Sequence, residues 1–254
     1  EVLFTKEGKG AGYARNIGLS HARGKWIIFA DADDFFTANC FTILNEYMDS
    51  PHKVIYFNVR FVMSDDPSQE SRRGTYYTNF FNDVNPENKL RYQSQVPWGK
   101  MIRRSFLSTF HIQFDETRIA NDVYFSCLVG IYAPKVTTDR RIIYYCTESD
   151  QSLAMSKQDR ESLIIRFNAS MKCNRLLRQE KIHYYLSPLP WCIPSAKTKE
   201  WLPAKYFFEY LFFFRLQAFK ELYYAFSAIL SHMNEPATKE TDNQCNKKTT
   251  NLKE

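Results

Sequence analysis

Phe29-Ala30-Asp31-Ala32-Asp33-Asp34-Phe35 places three carboxylates directly after an apolar, strand-like run, Trp26-Ile27-Ile28-Phe29. A short buried strand with acidic side chains at its carboxyl end delivers them where open α/β sheets bind ligands. Carboxylates this close repel one another and lose solvation when partly buried, so a bound cation is a natural partner. An all-oxygen donor set favours Mg²⁺ or Mn²⁺, which in turn bind diphosphates. Taken alone, the segment fits a solvated acidic loop equally well.

The residues upstream narrow the choice. Gly10-Ala11-Gly12-Tyr13-Ala14-Arg15-Asn16-Ile17-Gly18-Leu19 leads through Ser20-His21-Ala22-Arg23 to Gly24. Ala11, Ala14, Gly18 and Ala22 form a small-residue stripe at helical spacing, predicting a helix packed closely on a sheet, with Gly24 as its terminator. The order of glycine loop, Ala-Arg-Asn helix, Gly-Lys-Trp strand and Asp-Ala-Asp-Asp resembles the family 2 glycosyltransferases. Further along, Val96-Pro97-Trp98-Gly99-Lys100-Met101 resembles a tryptophan-lysine strand of bacterial members. Phe114-Asp115-Glu116 and Asn121-Asp122-Val123-Tyr124-Phe125 resemble the acidic segment carrying the family's catalytic base. Tyr144-Tyr145-Cys146-Thr147 through Gln151-Ser152-Leu153 is similar to the strand and turn that follow it. Two positions depart from the pattern: Asn121 stands where a glutamate is usual, and Gln151 where a glycine is frequent.

The resemblance implies an α/β fold of the GT-A type, a Rossmann-like nucleotide-diphospho-sugar transferase domain, with a helical carboxyl-terminal extension. It implies an inverting transfer from a nucleotide-sugar donor, a UDP-sugar foremost, to a glycan or lipid-linked acceptor. Asp33 would be the direct metal ligand. Asp31 would assist it or contact the donor, and Asp34 would hold the loop or meet donor hydroxyls. Arg15 would contact the nucleotide, the alternative being a surface helix arginine. Asp122 would be the general base, against an ordinary acidic residue in a helix's first turn. Trp98 would be either an acceptor-stacking platform or a core tryptophan. Mn²⁺ or Mg²⁺ is the implied cofactor. A non-catalytic remnant and a GT-A-like nucleotidyltransferase are the competing readings.

GT-A domains begin with strand-helix-strand units, yet here the acidic motif starts at residue 31 and Glu1-Val2-Leu3-Phe4-Thr5 already reads as an internal strand. The expectation is a domain lacking about 70–90 amino-terminal residues. The expected organisation is catalytic domain 1–155, helical region 156–233 and disordered tail 234–254, the tail having no aromatic residues. The 254 residues carry a formal charge of +6 with dispersed basic pairs and no nucleic-acid motif, which argues against a nucleic-acid partner. Six cysteines without paired or metal-ligand spacing predict free thiols and a cytoplasmic setting. Residues 157–180 read as an amphipathic helix with Leu163, Ile164, Phe167 and Met171 at core spacing, followed by a proline-rich crossing loop. Residues 204–232 are unusually aromatic, but Glu209, Arg215, Lys220 and Glu221 interrupt them, and a membrane span needs about 20 mostly uncharged residues. A helix packed on the catalytic domain is favoured over an interfacial helix contacting the cytoplasmic membrane face.

Overall fold

The structure, a computed structural model, describes residues 1–4, 8–71, 74–148, 159–182 and 203–214. Its centre is β3 (Val54–Met63), whose Val54, Ile55, Tyr56 and Phe57 are fully buried. An uninterrupted apolar run of this kind is what a strand covered on both faces requires. β3 pairs in parallel with β5 (Val136–Glu148) and antiparallel with β4 (Lys100–Arg103). Two-residue strands close the edges, β1 (Trp26–Ile27) on β4 and β2 (Phe35–Phe36) on β5, giving the order β1-β4-β3-β5-β2. The β3–β5 register shifts on both sides of Asn58, and the Asn58 side chain accepts the Val59 N–H at 2.9 Å, satisfying a donor the irregularity would otherwise strand.

Helices pack around this mixed sheet: α1 (Gly10–His21), α2 (Cys40–Asn45), α3 (Gly74–Phe81), α4 (Pro86–Gln93), α5 (Arg104–Thr109), α6 (Asn121–Tyr132) and α7 (Arg160–Gln179). In α3, Tyr77, Phe80 and Phe81 enter the core. α4 is started by Asn85, whose side chain accepts from the Asn88 N–H, and by Pro86 in the first turn. Asp159 caps α7 in the same way through Ser162 N–H.

Three expectations are corrected here. The helix α1 forms, but Ala11, Ala14 and Gly18 are exposed, and the packed face is Gly12, Arg15, Asn16 and Leu19. Small residues recurring at helical spacing say that a close approach is permitted, not which face makes it. A Cβ on Gly12 would fall inside the contact distance of the Asp115 carbonyl, so the close approach is to the loop before α6. α1 also ends at His21 with Ala22 extended, which leaves Gly24 in the bend before β1 rather than at the helix terminus. Finally, Glu1–Phe4 is exposed and forms no strand, and no strand among the described residues pairs with it.

Asn16 fastens α1 to the 114–116 segment. Its Nδ2 donates to the Phe114 carbonyl at 3.0 Å, and the Phe114 N–H donates to its Oδ1 at 2.8 Å. Phe114 is itself stacked on Phe125 at 3.8 Å and edge-on to Phe29 at 4.9 Å. Asn16→Ala strips a buried backbone group of both partners. We expect a loss of about 1–3 kcal/mol in denaturant unfolding, read as a lower midpoint at unchanged slope.

The carboxyl-terminal region begins with α7, where Leu163, Phe167 and Met171 are buried and Ile164 is partly so. Cys173 and Leu177 of α7 join Val123, Cys127 and Ile131 of α6 in a second apolar cluster. Residues Glu1–Phe208 form one compact unit and Glu209–Glu254 another. α8 (Ala204–Phe214) begins in the first, where Tyr206 packs edge-on against Phe167 at 5.2 Å. Tyr210 is buried, whereas Phe208 and Phe212 are exposed. Among the described residues no helix is long and apolar enough to cross a membrane. The Gln151-Ser152-Leu153 turn, the crossing loop's Pro188, Pro190 and Pro194, the aromatic residues past 214 and the 234–254 tail lie outside the described residues. Cys40, Cys127, Cys146 and Cys173 are free thiols.

Candidate active site

The acidic loop is clamped from β5. Tyr144, fully buried, accepts the Asp31 N–H at 2.8 Å and donates its hydroxyl proton to Asp34 Oδ2 at 2.7 Å. Thr147 donates its N–H to Asp34 Oδ1 at 2.8 Å and its hydroxyl to the Asp33 carbonyl at 2.9 Å. The Asp34 N–H closes a turn on the Asp31 carbonyl at 3.2 Å. Asp34 is thus committed to holding the loop. Its carboxyl is shifted upward, chiefly by burial, against the pull of Thr147 and Tyr144 and with the help of the Asp33 and Asp31 charges.

Asp31 and Asp33 are disposed differently. Asp31 pairs with Arg15 Nη2 at 2.5 Å, and Arg15 Nη1 donates to Asn121 Oδ1 at 2.8 Å. One guanidinium therefore joins α1, the acidic loop and the start of α6, a task suited to its rigid fork. The exposed Asp33 carboxylate makes no hydrogen bond or ion pair among the described residues.

Asp122 follows Asn121 in the first turn of α6, where the helix dipole favours a carboxylate. Burial nevertheless raises its pKa as the largest effect. Its own N–H and the positive charges of Arg15 and Lys100 oppose that rise, and the Asp31 charge adds to it. Asp31 and Asp122, 91 positions apart, are thereby neighbours across Arg15. Sequence reasoning missed the side chains behind them: Tyr144 and Thr147, which hold the loop, the amide of Asn121, and Lys100. Their types carried a signal in the quoted strand and helix motifs, but the partners of Tyr144, Thr147 and Asn121 lie more than 80 residues away.

Trp98 is only 8 % exposed, stacked on Tyr144 at 6.2 Å and edge-on to Phe61 at 5.6 Å. It bears on the site through Tyr144, whose hydroxyl fixes the acidic loop. Among the described residues, no three His, Cys, Asp or Glu side chains are gathered into a ready-made cation site.

Against this geometry stand the likenesses to known proteins. Residues 1–110 match the sequence model of glycosyl transferase family 2. That match spans 110 of the 254 residues. The matched region contains Arg15, the acidic loop, Trp98 and Lys100, and ends before Asp122. The fold is similar to that of S. aureus TarS 1–349 in complex with UDP-GlcNAc, with a TM-score of 0.52 and 18 % identity over 72 % of this chain and 50 % of that one. TarS 1–349 in complex with UDP gives 0.50 and 18 %, over 74 % and 50 %. The longer S. aureus TarS structure gives 0.50 and 17 %, over 84 % of this chain and 33 % of that one. The chain thus spans about half the length of the TarS 1–349 structures and shares their fold. No curated protein sequence matches it. Family and fold agree on an α/β domain of the GT-A kind.

Proposed function

We propose that this chain transfers a sugar from a nucleoside-diphosphate donor to an acceptor hydroxyl with inversion at the anomeric carbon. The observation that supports the reading is the Arg15 bridge, which links Asp31 of the acidic loop to Asn121, the residue before Asp122. In the reaction, the acceptor oxygen forms a bond to the anomeric carbon as the bond to the diphosphate oxygen breaks. Asp122 accepts the acceptor hydroxyl's proton, so the nucleophile gains charge as the leaving group does. Attack from the face opposite the diphosphate makes an α-linked donor yield a β-linked product. Arg15 orients the donor side of the site, and Asp34 keeps the loop in register.

Asp33 and Asp31 are the residues that would hold Mn²⁺ or Mg²⁺. Two carboxylates without a third protein ligand suit an ion that takes its remaining oxygens from diphosphate and water, the way Mg²⁺ is commonly bound. When bound, the cation would neutralise charge developing on the diphosphate. A glycan or lipid-linked alcohol is the acceptor class consistent with this chemistry, reached from the cytoplasmic side with peripheral membrane contact.

UDP is the first probe, since it is the nucleotide of two similar structures. Calorimetric titration of UDP into the chain should show binding with Mn²⁺ that EDTA removes and that Asp33→Ala weakens at least about tenfold, the scale of one charge-assisted ligand. UDP and GDP both failing to bind the folded chain in Mn²⁺ would sink the donor-site reading.

A further inference from the structure

A cleft of about 390 Å³ opens between α3 and β3, lined by neither the acidic loop nor Asp122. Ligand pockets run from about 300 to 1,000 Å³. The α3 wall is Thr75, Thr78, Asn79 and, just past the helix, Asn82, a spacing that puts all four on one helical face. Tyr77, Phe80 and Phe81 occupy the other face and enter the core. A solvated helix face ordinarily carries lysine and glutamate, yet no charged residue stands between Gly74 and Asn82. Threonine and asparagine are also poor helix formers, so the stripe does not serve the helix itself.

The facing wall is the irregular stretch of β3. The Asn58 Oδ1 is taken by the Val59 N–H at 2.9 Å, and its Nδ2 has no partner among the described residues. The same holds for the side chains of the α3 stripe. Ile142 and Phe61 add apolar surface beside these groups. Arg60 and Glu70, the two charged residues lining the cleft, answer each other at 3.1 Å. Amides and hydroxyls next to an apolar wall, with the charges cancelled, match a molecule of many hydroxyls, an apolar ring face and no charge. That is a neutral sugar. A phosphate or a uronic acid would bring a charge that nothing in the cleft is left to answer. The cleft also shares its framework with the acidic loop. Val59 pairs in register with Tyr144, and Ser71 donates its hydroxyl to the Glu148 carboxylate, next to Thr147. Tyr144 and Thr147 are the residues that clamp the loop.

We propose that the α3–β3 cleft is a binding subsite for an uncharged sugar unit of the glycan acceptor, held by Asn58 and the Thr75–Thr78–Asn79–Asn82 stripe. Its assignment to the acceptor rests on the proposed transferase activity. Its affinity for a neutral sugar does not.

The test is proton–nitrogen correlation NMR of the full chain, titrated with cellobiose and diacetylchitobiose as neutral probes and with glucuronic acid as the charged control. The side-chain amides of Asn58 and Asn79 and the backbone of Thr78 and Ile142 should shift with at least one neutral probe and not with glucuronic acid. Thr78→Val combined with Asn79→Ala should weaken that binding about tenfold or more, the effect of two lost hydrogen bonds. Neither side chain holds a protein partner, so the double variant keeps native dispersion. No shift at these residues with either neutral probe overturns the proposal. So does a shift that the double variant leaves unchanged, or an equal response to glucuronic acid. Titrating UDP with Mn²⁺ into the same preparation separates the two readings. Sugar bound without UDP upholds the neutral-sugar site and rejects the transferase reading, and the acceptor assignment falls with it. UDP bound without sugar keeps the donor site and rejects the cleft.

Discussion

Asp122→Asn lowers the rate of sugar transfer by about 10²–10⁴-fold, the range that loss of a positioned general base accounts for, and leaves UDP affinity nearly unchanged. The substitution keeps size and the first-turn position of α6 while removing the proton acceptor. Arg15 and the acidic loop, the groups proposed to face the nucleotide, are held by Asn121, Tyr144 and Thr147 rather than by Asp122, which is why binding is expected to survive. A second signature accompanies the rate. Burial raises the Asp122 pKa, so activity falls as acid protonates it, and the acid limb of kcat lies above the ordinary carboxylate value of 3.8. The comparison is made by radiolabelled transfer and calorimetry on the same preparations. Wild-type turnover in the Asn variant would remove Asp122 from the chemistry, and lost UDP binding would make it a donor-site residue.

Gly130→Ala is the substitution expected to destabilise the fold most. Gly130 lies near the carboxyl end of α6, where the Arg91 carbonyl of α4 occupies the space a Cβ would take. Arg91 also reaches back to α6, with Nε donating to the Gly130 carbonyl at 2.5 Å and Nη2 to the Ala133 carbonyl at 2.5 Å. Backbone stands against backbone, so no side-chain rotation relieves the clash, and α4 or α6 has to shift. Overpacking of this kind costs about 3 kcal/mol, more than the roughly 1 kcal/mol that alanine gains over glycine in a helix. The Tm is expected to fall by roughly 5–10 °C for a domain of this size. Gly18→Ala is the control, because that glycine is helical with nothing near its missing Cβ, and there the same change is neutral or stabilising. Equal Tm values for the two variants would mean that α4 and α6 separate at little cost.

The motif read as Ala-Arg-Asn shows how far sequence reasoning reached. Arg15 and Asn16 were visible as a pair, and the pairing with a downstream Asp-Ala-Asp-Asp pointed to the family that residues 1–110 match. What each side chain touches was not visible. Arg15 meets Asp31 and Asn121, whereas Asn16 holds the Phe114 backbone, partners 16, 106 and 98 positions away. The exposed Ala11, Ala14 and Gly18 show the same limit, since a helical stripe has a period but no address. Trp98 carried two readings at equal weight, and the structure places it in the aromatic core beside Tyr144.

Local chemistry was enough to set the α/β class, the amphipathic α7 and the acidic loop after β1, because periodicity, capping and charge clustering act over a few residues. Tertiary structure alone decided which charges share a site. Burial and through-space fields couple Asp122 to Arg15, Lys100 and Asp31, groups from three other parts of the chain. Those energies depend on distance and local dielectric, which no spacing along the sequence encodes.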